Sequence, residues 1–386
     1  MILVTDAQLR HSLAIIRSLG GKGLSVMAGD CERVSTGFFS KYAKSRVVYP
    51  DPEENEEAFL NFILQLVRRK KIEMIIPVSD KVLIPLAKHK KELEKYTVLP
   101  VGDYETIIKA RDKETTLKIA QEIGFPMPKT YFVADESELE KIKEYPLIIK
   151  PRFGSGSRGI ILCKNLQELK EGFRKQSRDY GPLLVQEFIP QGQEVGYYGL
   201  FGKDSQPIAW TIQKRLRSYP VSGGPSTFRE TINHPEIKEL AEKILKHLKW
   251  QGVAMVEFKI DQRDDQPKLM EVNPRFWGSL ALSIASGIDF PYLLYCLYSG
   301  KEIPPLVQSQ YRVGVKSRWL LPGDILWFFS APKSWENFKS FFQFKGVHED
   351  IVCRDDWKPI FGFFLASLTY LFSRKKRRFV FRKKLG

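Results

Sequence analysis

The chain has 386 residues, 43% hydrophobic and 27% charged, a balance that fits a soluble globular protein with room for two or three domains. Its formal net charge is +16, yet residues 374–384 alone hold eight lysines and arginines and no acid, so half of the excess sits in one terminal run. That distribution excludes a uniformly basic body built for nucleic acid and marks a docking segment instead. Cys31, Cys163, Cys296 and Cys353 are scattered with no C-x-x-C pair and the histidines form no H-E-x-x-H, which excludes a disulfide framework and a zinc site. The first residues enter a strand-like run with no leader pattern, so a cytoplasmic protein is expected.

Residues 1–108 alternate strand and helix. Strands are predicted at 2–4, 24–28, 74–78 and 98–101, with helices at 12–19, 56–70 and 82–94, a pattern that predicts a parallel sheet covered on both faces. The first strand runs into Thr5-Asp-Ala-Gln-Leu-Arg10, which is not a glycine fingerprint, so dinucleotide binding is not expected there.

A helix is predicted over 109–123, then a Gly124-Phe-Pro-Met-Pro128 turn, a strand at 131–133 and a helix at 137–143. The stretch from Tyr145 to Cys163 carries Lys150 at the end of a strand and then Gly154, Ser155, Gly156, Ser157, Arg158 and Gly159. The glycine spacing matches G-x-G-x-x-G, but an apolar strand-like run follows where a dinucleotide fold needs a helix. Strand, glycine loop, strand describes a hairpin flap whose N–H groups can close over phosphates, with Lys150 placed to reach them. A later helix is expected to start after Asn165 as its N-cap. Residues 183–190 form an apolar strand stopped by Pro190, with Glu187 before the stop and Glu194 after it. A strand edge broken by proline leaves backbone groups free for an adenine edge, and a carboxylate beyond it suits ribose hydroxyls.

Residues 253–260 and 269–272 read as two strands joined by the polar turn 261–266. Paired, they bring Glu257 beside Glu271, and strand alternation points Glu271, Asn273 and Arg275 the same way. Two carboxylates and an amide oxygen are hard ligands suited to Mg²⁺.

Taken in order, Asp112-Lys113, Ile149-Lys150 with its flap, Glu187-Phe-Ile189, Glu194, Glu257-Phe258 and Glu271-Val-Asn-Pro-Arg275 resemble the ATP-grasp superfamily. The pattern is most similar to the nucleotide-binding domain of carbamoyl-phosphate synthetase and biotin carboxylase. The resemblance implies an α/β and α+β chain: a Rossmann-like pre-ATP-grasp domain over 1–108, an ATP-grasp domain over 109–305 and a small aromatic-rich C-terminal region over 306–386. It implies that Lys113, Lys150 and the flap 154–159 bind ATP phosphates. Glu187, Phe188 and Ile189 would hold adenine, and Glu194 ribose. Glu257, Glu271 and Asn273 would hold two Mg²⁺ ions, with Mn²⁺ as a substitute. The activity implied is a carboxylate–amine ligase that forms an acyl phosphate, with a phosphotransferase or a nucleotide-binding scaffold as alternatives.

The resemblance assigns catalysis to Arg275 and to Lys214, in a 214–229 stretch that departs from the synthetase form. Lys214, Arg215, Arg217 and Arg229 make that stretch a basic substrate loop, so an anionic carboxylate substrate is expected, with an amine as its partner. No biotin-carrier segment, glutaminase region or second nucleotide domain is present in the sequence, so carbamoyl phosphate synthesis and biotin carboxylation as such are not expected.

The last 80 residues contain 18 aromatics, and residues 359–373 carry no charge. As a helix those 15 residues cover about 22 Å, short of the roughly 30 Å of a bilayer core. Two readings stand: a buried helix with a basic tail, or a peripheral membrane contact through 359–384 at the inner face of the membrane. Nucleic acid is not favoured as a partner, and a homo-oligomer is compatible with the sequence.

Overall fold

The computed structural model describes residues 1–154, 159–190, 192–221, 223–304 and 311–372, so residues 155–158 of the expected flap and the basic run 374–384 lie outside the described residues. The strands form three sheets. β1 (Ile2–Val4), β2 (Val26–Asp30), β3 (Ser45–Val48) and β4 (Met74–Ile76) make a parallel sheet in the order β3-β2-β1-β4. β1 is wholly apolar because both faces are covered. Ile2 and Val4 pack with Ile15, Ile16 and Leu19 on one side, and Leu3 packs with Phe59, Ile63 and Leu86 on the other. Residues 98–101 give one parallel bridge, Met74 to Val98, rather than a strand; Pro100 has no N–H for a longer ladder. β3, half-exposed and without an apolar run, had no signal in the sequence.

β5 (Thr130–Tyr131), β6 (Leu147–Pro151), β7 (Ile161–Cys163) and β8 (Leu183–Glu187) form an antiparallel sheet in the order β5-β8-β6-β7. Its outer helix, Leu166–Tyr180, begins where Asn165 accepts the Glu168 N–H. β9 (Glu194–Phe201), β10 (Pro207–Ser218), β11 (Ser226–Thr231), β12 (Gly252–Asp261) and β13 (Gln266–Asn273) are the body of a seven-stranded sheet. β14 (Lys316–Arg318) and β15 (Val347–Glu349) complete it in the order β13-β12-β9-β10-β11-β14-β15. The C-terminal region therefore shares a sheet with the strands that carry the acids.

That sharing corrects the expectation of a basic substrate loop over 214–229. Most of it is the ladder between β10 and β11, and among the described residues, 219–221 and 223–225 lie between the two strands. Arg217 and Arg229 are buried, facing acids from the C-terminal region. Asp324 accepts from Arg217 at 3.0 Å and Thr227 at 3.0 Å and lies 3.1 Å from Arg318. Asp350 pairs with Arg229, lies 3.1 Å from Arg10 and accepts from Ser317 at 3.1 Å. Buried guanidinium groups persist only with such partners.

Residues 359–372 form a helix, Pro359–Phe372, seated on the short turn of helix Thr36–Phe39. It is neither the fully buried helix nor a detached one: Pro359, Gly362 and Ala366 are buried, while Phe361, Phe364, Leu365 and Leu368 are exposed. Among the described residues no single helix is long and apolar enough to cross a membrane.

Candidate active site

A cleft of about 440 Å³ lies between the four-stranded antiparallel sheet and the seven-stranded sheet, closed at one end by the start of the helix Arg10–Gly21. Its walls include Lys113, Lys150, Gly154, Glu187, Phe188, Ile189, Glu194, Glu257, Glu271, Asn273 and Arg275, so most of the predicted positions converge on one space. Gly154 and Gly159 flank the residues expected to form the flap. Both have positive φ, 127° and 72°, a backbone state that side chains resist, so the loop enters and leaves on glycine.

The acids are placed by strand register. Glu257 of β12 and Glu271 of β13 are direct antiparallel partners, and Asn273 comes two residues on, its amide donating to Glu271 at 2.9 Å. Arg275 donates to the Asn273 oxygen at 3.3 Å and to Asp80 at 3.1 Å, which fixes it at the cleft end. Lys113 is aimed by its own helix start. Asp112 caps the helix Lys113–Glu122 by accepting the Glu114 N–H and is clamped by Arg152, and Lys113 then reaches Glu271 at 3.2 Å and the Gly154 carbonyl at 2.6 Å. This cap splits the single helix expected over 109–123 into Tyr104–Arg111 and Lys113–Glu122.

Lys150 on β6 is buried and donates to Gln186 at 2.8 Å. Burial first, and then the Lys113 charge, lower its pKa to about 7, so a cation is held there at a cost that a phosphate would relieve. Burial, with Glu271 and Glu194 adding to it, raises the Glu257 carboxyl above the ordinary range despite Arg215. Burial also opposes ionisation of Glu271, but Lys113, the Asn273 amide and Lys150 outweigh it and hold the group below the ordinary range. Burial thus dominates at Glu257, whereas the lysines beside Glu271 keep that neighbour charged.

The positions expected to hold adenine are partly spoken for. Glu187 accepts from the Lys129 N–H at 2.9 Å and from Arg263 at 3.1 Å, and the Phe188 N–H donates to Pro146 at 3.1 Å. Among the described residues the Phe188 carbonyl and the Ile189 N–H have no hydrogen-bond partner, leaving one acceptor and one donor side by side after β8. Glu194, read from sequence as lying past a strand stop, opens β9 and is bonded to Arg215 at 2.6 Å.

Lys214 is the prediction that the geometry moves away from the site. It lies on the opposite face of β10 from Arg215 and pairs with Glu230 at 3.1 Å, outside the cleft walls. Arg215 faces the cleft instead, bridging Glu194 and Glu257 at 2.6 Å each. Arg10 and His11 also line the cleft, which no local motif announced. Burial, then the nearby Arg275 and Arg10, drive the His11 pKa well down, and among the described residues its Nδ1 has no partner, so it adds a neutral imidazole among arginines. In all, six cations face four carboxylates on these walls, an anion-receptive surface.

Among the described residues no three His, Cys, Asp or Glu side chains are grouped to hold a metal ion by themselves. The donor set is two carboxylates and one amide, all hard ligands. That fits Mg²⁺, which keeps water and phosphate oxygens in its remaining positions, and the Glu257 carboxyl, pushed up by burial, is where such a charge would be favourable.

Gly154, the buried Lys150 and the paired acids Glu257 and Glu271 thus share one cleft. Residues 110–279 match the family model described as an ATP-grasp domain. It is 27% identical over 251 residues to the carbamoyl-phosphate synthase of Methanobrevibacter smithii, covering 61% of this chain and 66% of that protein. The chain spans less than two thirds of the length of the curated relatives it matches first. Among solved structures, biotin carboxylase from Campylobacter jejuni in complex with β,γ-ATP is similar at a TM-score of 0.68 and 15% identity, over 82% of this chain and 74% of that one. An L-amino acid ligase from Bacillus licheniformis is similar at a TM-score of 0.63 and 22% identity, over 79% and 77% of the two chains. At such identities these structures speak for the fold.

Proposed function

We propose that the cleft binds ATP with Mg²⁺, transfers the γ-phosphoryl group to a small anionic carboxylate and joins the resulting acyl phosphate to an amine, releasing ADP and phosphate. The observation that carries this reading is the register pair Glu257–Glu271 with Asn273, set against Lys113 and Lys150 in one cleft. Phosphoryl transfer asks for positioning and charge neutralisation more than for proton chemistry, and these residues supply both. Lys113 and Lys150 neutralise the phosphates and the flap covers them. The Phe188 carbonyl and Ile189 N–H take the edge of the adenine. Glu194 is at hand for the ribose, if Arg215 shares it. Glu257, Glu271 and Asn273 hold Mg²⁺, which draws charge from the phosphate oxygens when bound. Arg275 and Arg215 offer guanidinium forks to the acid substrate, a planar match that lysine lacks. The synthase and amino acid ligase among the similar proteins support ligation over simple phosphotransfer. Four free thiols and a requirement for ATP fit a cytoplasmic setting.

The test is a screen of carboxylic acids with amines for ADP release by the full chain. Glu271→Gln is expected to lower turnover by about 100-fold or more while nucleotide still binds. Near-normal ADP release by that variant would overturn the metal assignment, and a stable phosphorylated product formed equally with and without amine would overturn ligation.

A further inference from the structure

The helix Pro359–Phe372 buries Pro359, Gly362 and Ala366 and exposes Phe361, Phe364, Leu365 and Leu368. Gly362 and Ala366 lie against the Thr36–Phe39 turn; a side chain added at Gly362 would begin 2.5 Å from the Phe39 ring, so no larger residue fits that contact. Phe361 is 55% exposed, Phe364 52%, Leu365 45% and Leu368 50%, at the i, i+3, i+4, i+7 spacing of one helical face. Trp357, also half-exposed, stacks edge-on against Phe361 with ring centroids 5.4 Å apart and lengthens the stripe. A soluble helix does the reverse, turning its large apolar residues inward.

The stripe is held firmly. Just before the helix, buried Asp356 accepts from Arg17 at 2.9 Å, Ser40 at 2.7 Å and the Lys41 N–H at 2.9 Å. From Trp357 to the last residue the sequence has Lys358 and the eight bases of 374–384, and no acid.

We propose that this face is a docking surface for an anionic lipid membrane, with the helix lying in the interface and the basic residues meeting lipid headgroups. An apolar face pressed into the acyl boundary beside a polybasic run is the combination that binds such surfaces reversibly. At 14 residues the helix is about 21 Å long, so it lies on a bilayer and does not cross it. A second copy of the chain is the poorer occupant, because both copies carry the same excess of bases after the helix. This inference does not depend on the reaction proposed for the cleft.

The experiment is co-sedimentation of the full chain with vesicles of phosphatidylcholine alone and of phosphatidylcholine mixed with phosphatidylglycerol, at low and high salt. Binding is expected to the anionic vesicles only and to weaken with salt. It should fall at least about tenfold in a variant with Phe361, Phe364, Leu365 and Leu368 changed to serine, and likewise with the eight bases of 374–384 changed to glutamine. Unchanged thermal unfolding of each variant shows that the fold is intact, and the tail variant keeps the test open if the serine variant does not fold. Failure to bind anionic vesicles overturns the proposal. So does loss with the tail variant but none with a folded serine variant, which would make the tail alone the binder. A dimer of the parent chain that the serine variant abolishes would overturn it too, naming the second copy as occupant.

Discussion

Arg215 and Lys150 show how the cleft is balanced before any ligand arrives. Arg215 sits between Glu194 and Glu257 where extra positive charge is needed. Removing it in Arg215→Ala leaves two carboxylates facing each other, so the variant should melt below the parent without divalent cation. Mg²⁺ should then raise its Tm by more than it raises the parent's, as read by calorimetry with and without chelator. Lys150 is predicted to report through protons. With its pKa lowered to about 7 it is mostly neutral at about pH 8, and arriving phosphates recharge it. Titrating ATP in buffers of different ionisation enthalpy should then show net proton uptake at about pH 8, absent in Lys150→Met. The same shift has a stability sign. The unfolded chain binds the proton more tightly between about pH 7 and the ordinary lysine value, so this residue favours folding increasingly as pH rises through that window.

Among the elements, what was legible in the sequence was what depends on strand parity next to a stop. Pro274 fixes the end of β13, so Glu271 and Asn273 could be placed on one face and their pairing with Glu257 anticipated. β10 has no stop near its middle, and a choice between Lys214 and Arg215 turns on one residue of register, which composition does not encode. The four basic residues of 214–229 looked alike in sequence. Two of them proved to be buried because acids more than a hundred residues away face them, a partnership that no local window contains. Arg10 and His11 escaped notice for the same reason, since the helix they begin reaches the cleft only by packing against the seven-stranded sheet. The β11–β14 seam is accordingly the most fragile place to substitute. Asp350→Ala leaves Arg229 and Arg10 without their carboxylate in a buried site and should cost about 3–5 kcal/mol of unfolding free energy, measurable by urea denaturation.

Across the whole molecule, the seven-stranded sheet makes the C-terminal region part of the scaffold that carries the cleft. A chain ending after residue 304 would expose the edge of β11 and strip Arg217 and Arg229 of their acids. Such a truncation is expected to be insoluble or unfolded by circular dichroism, whereas one ending after residue 372 should melt like the parent.

The Asp356 clamp carries this to the scale of synthesis. Arg17 and Ser40 emerge from the ribosome more than three hundred residues ahead of the carboxylate that satisfies them. At roughly 5–20 residues per second, the nascent N-terminal sheet must wait on the order of tens of seconds for its last hydrogen-bond acceptor. Until then the surface around Phe39 that later receives Gly362 stays open, which makes that interval the time when the growing chain is most in need of a chaperone.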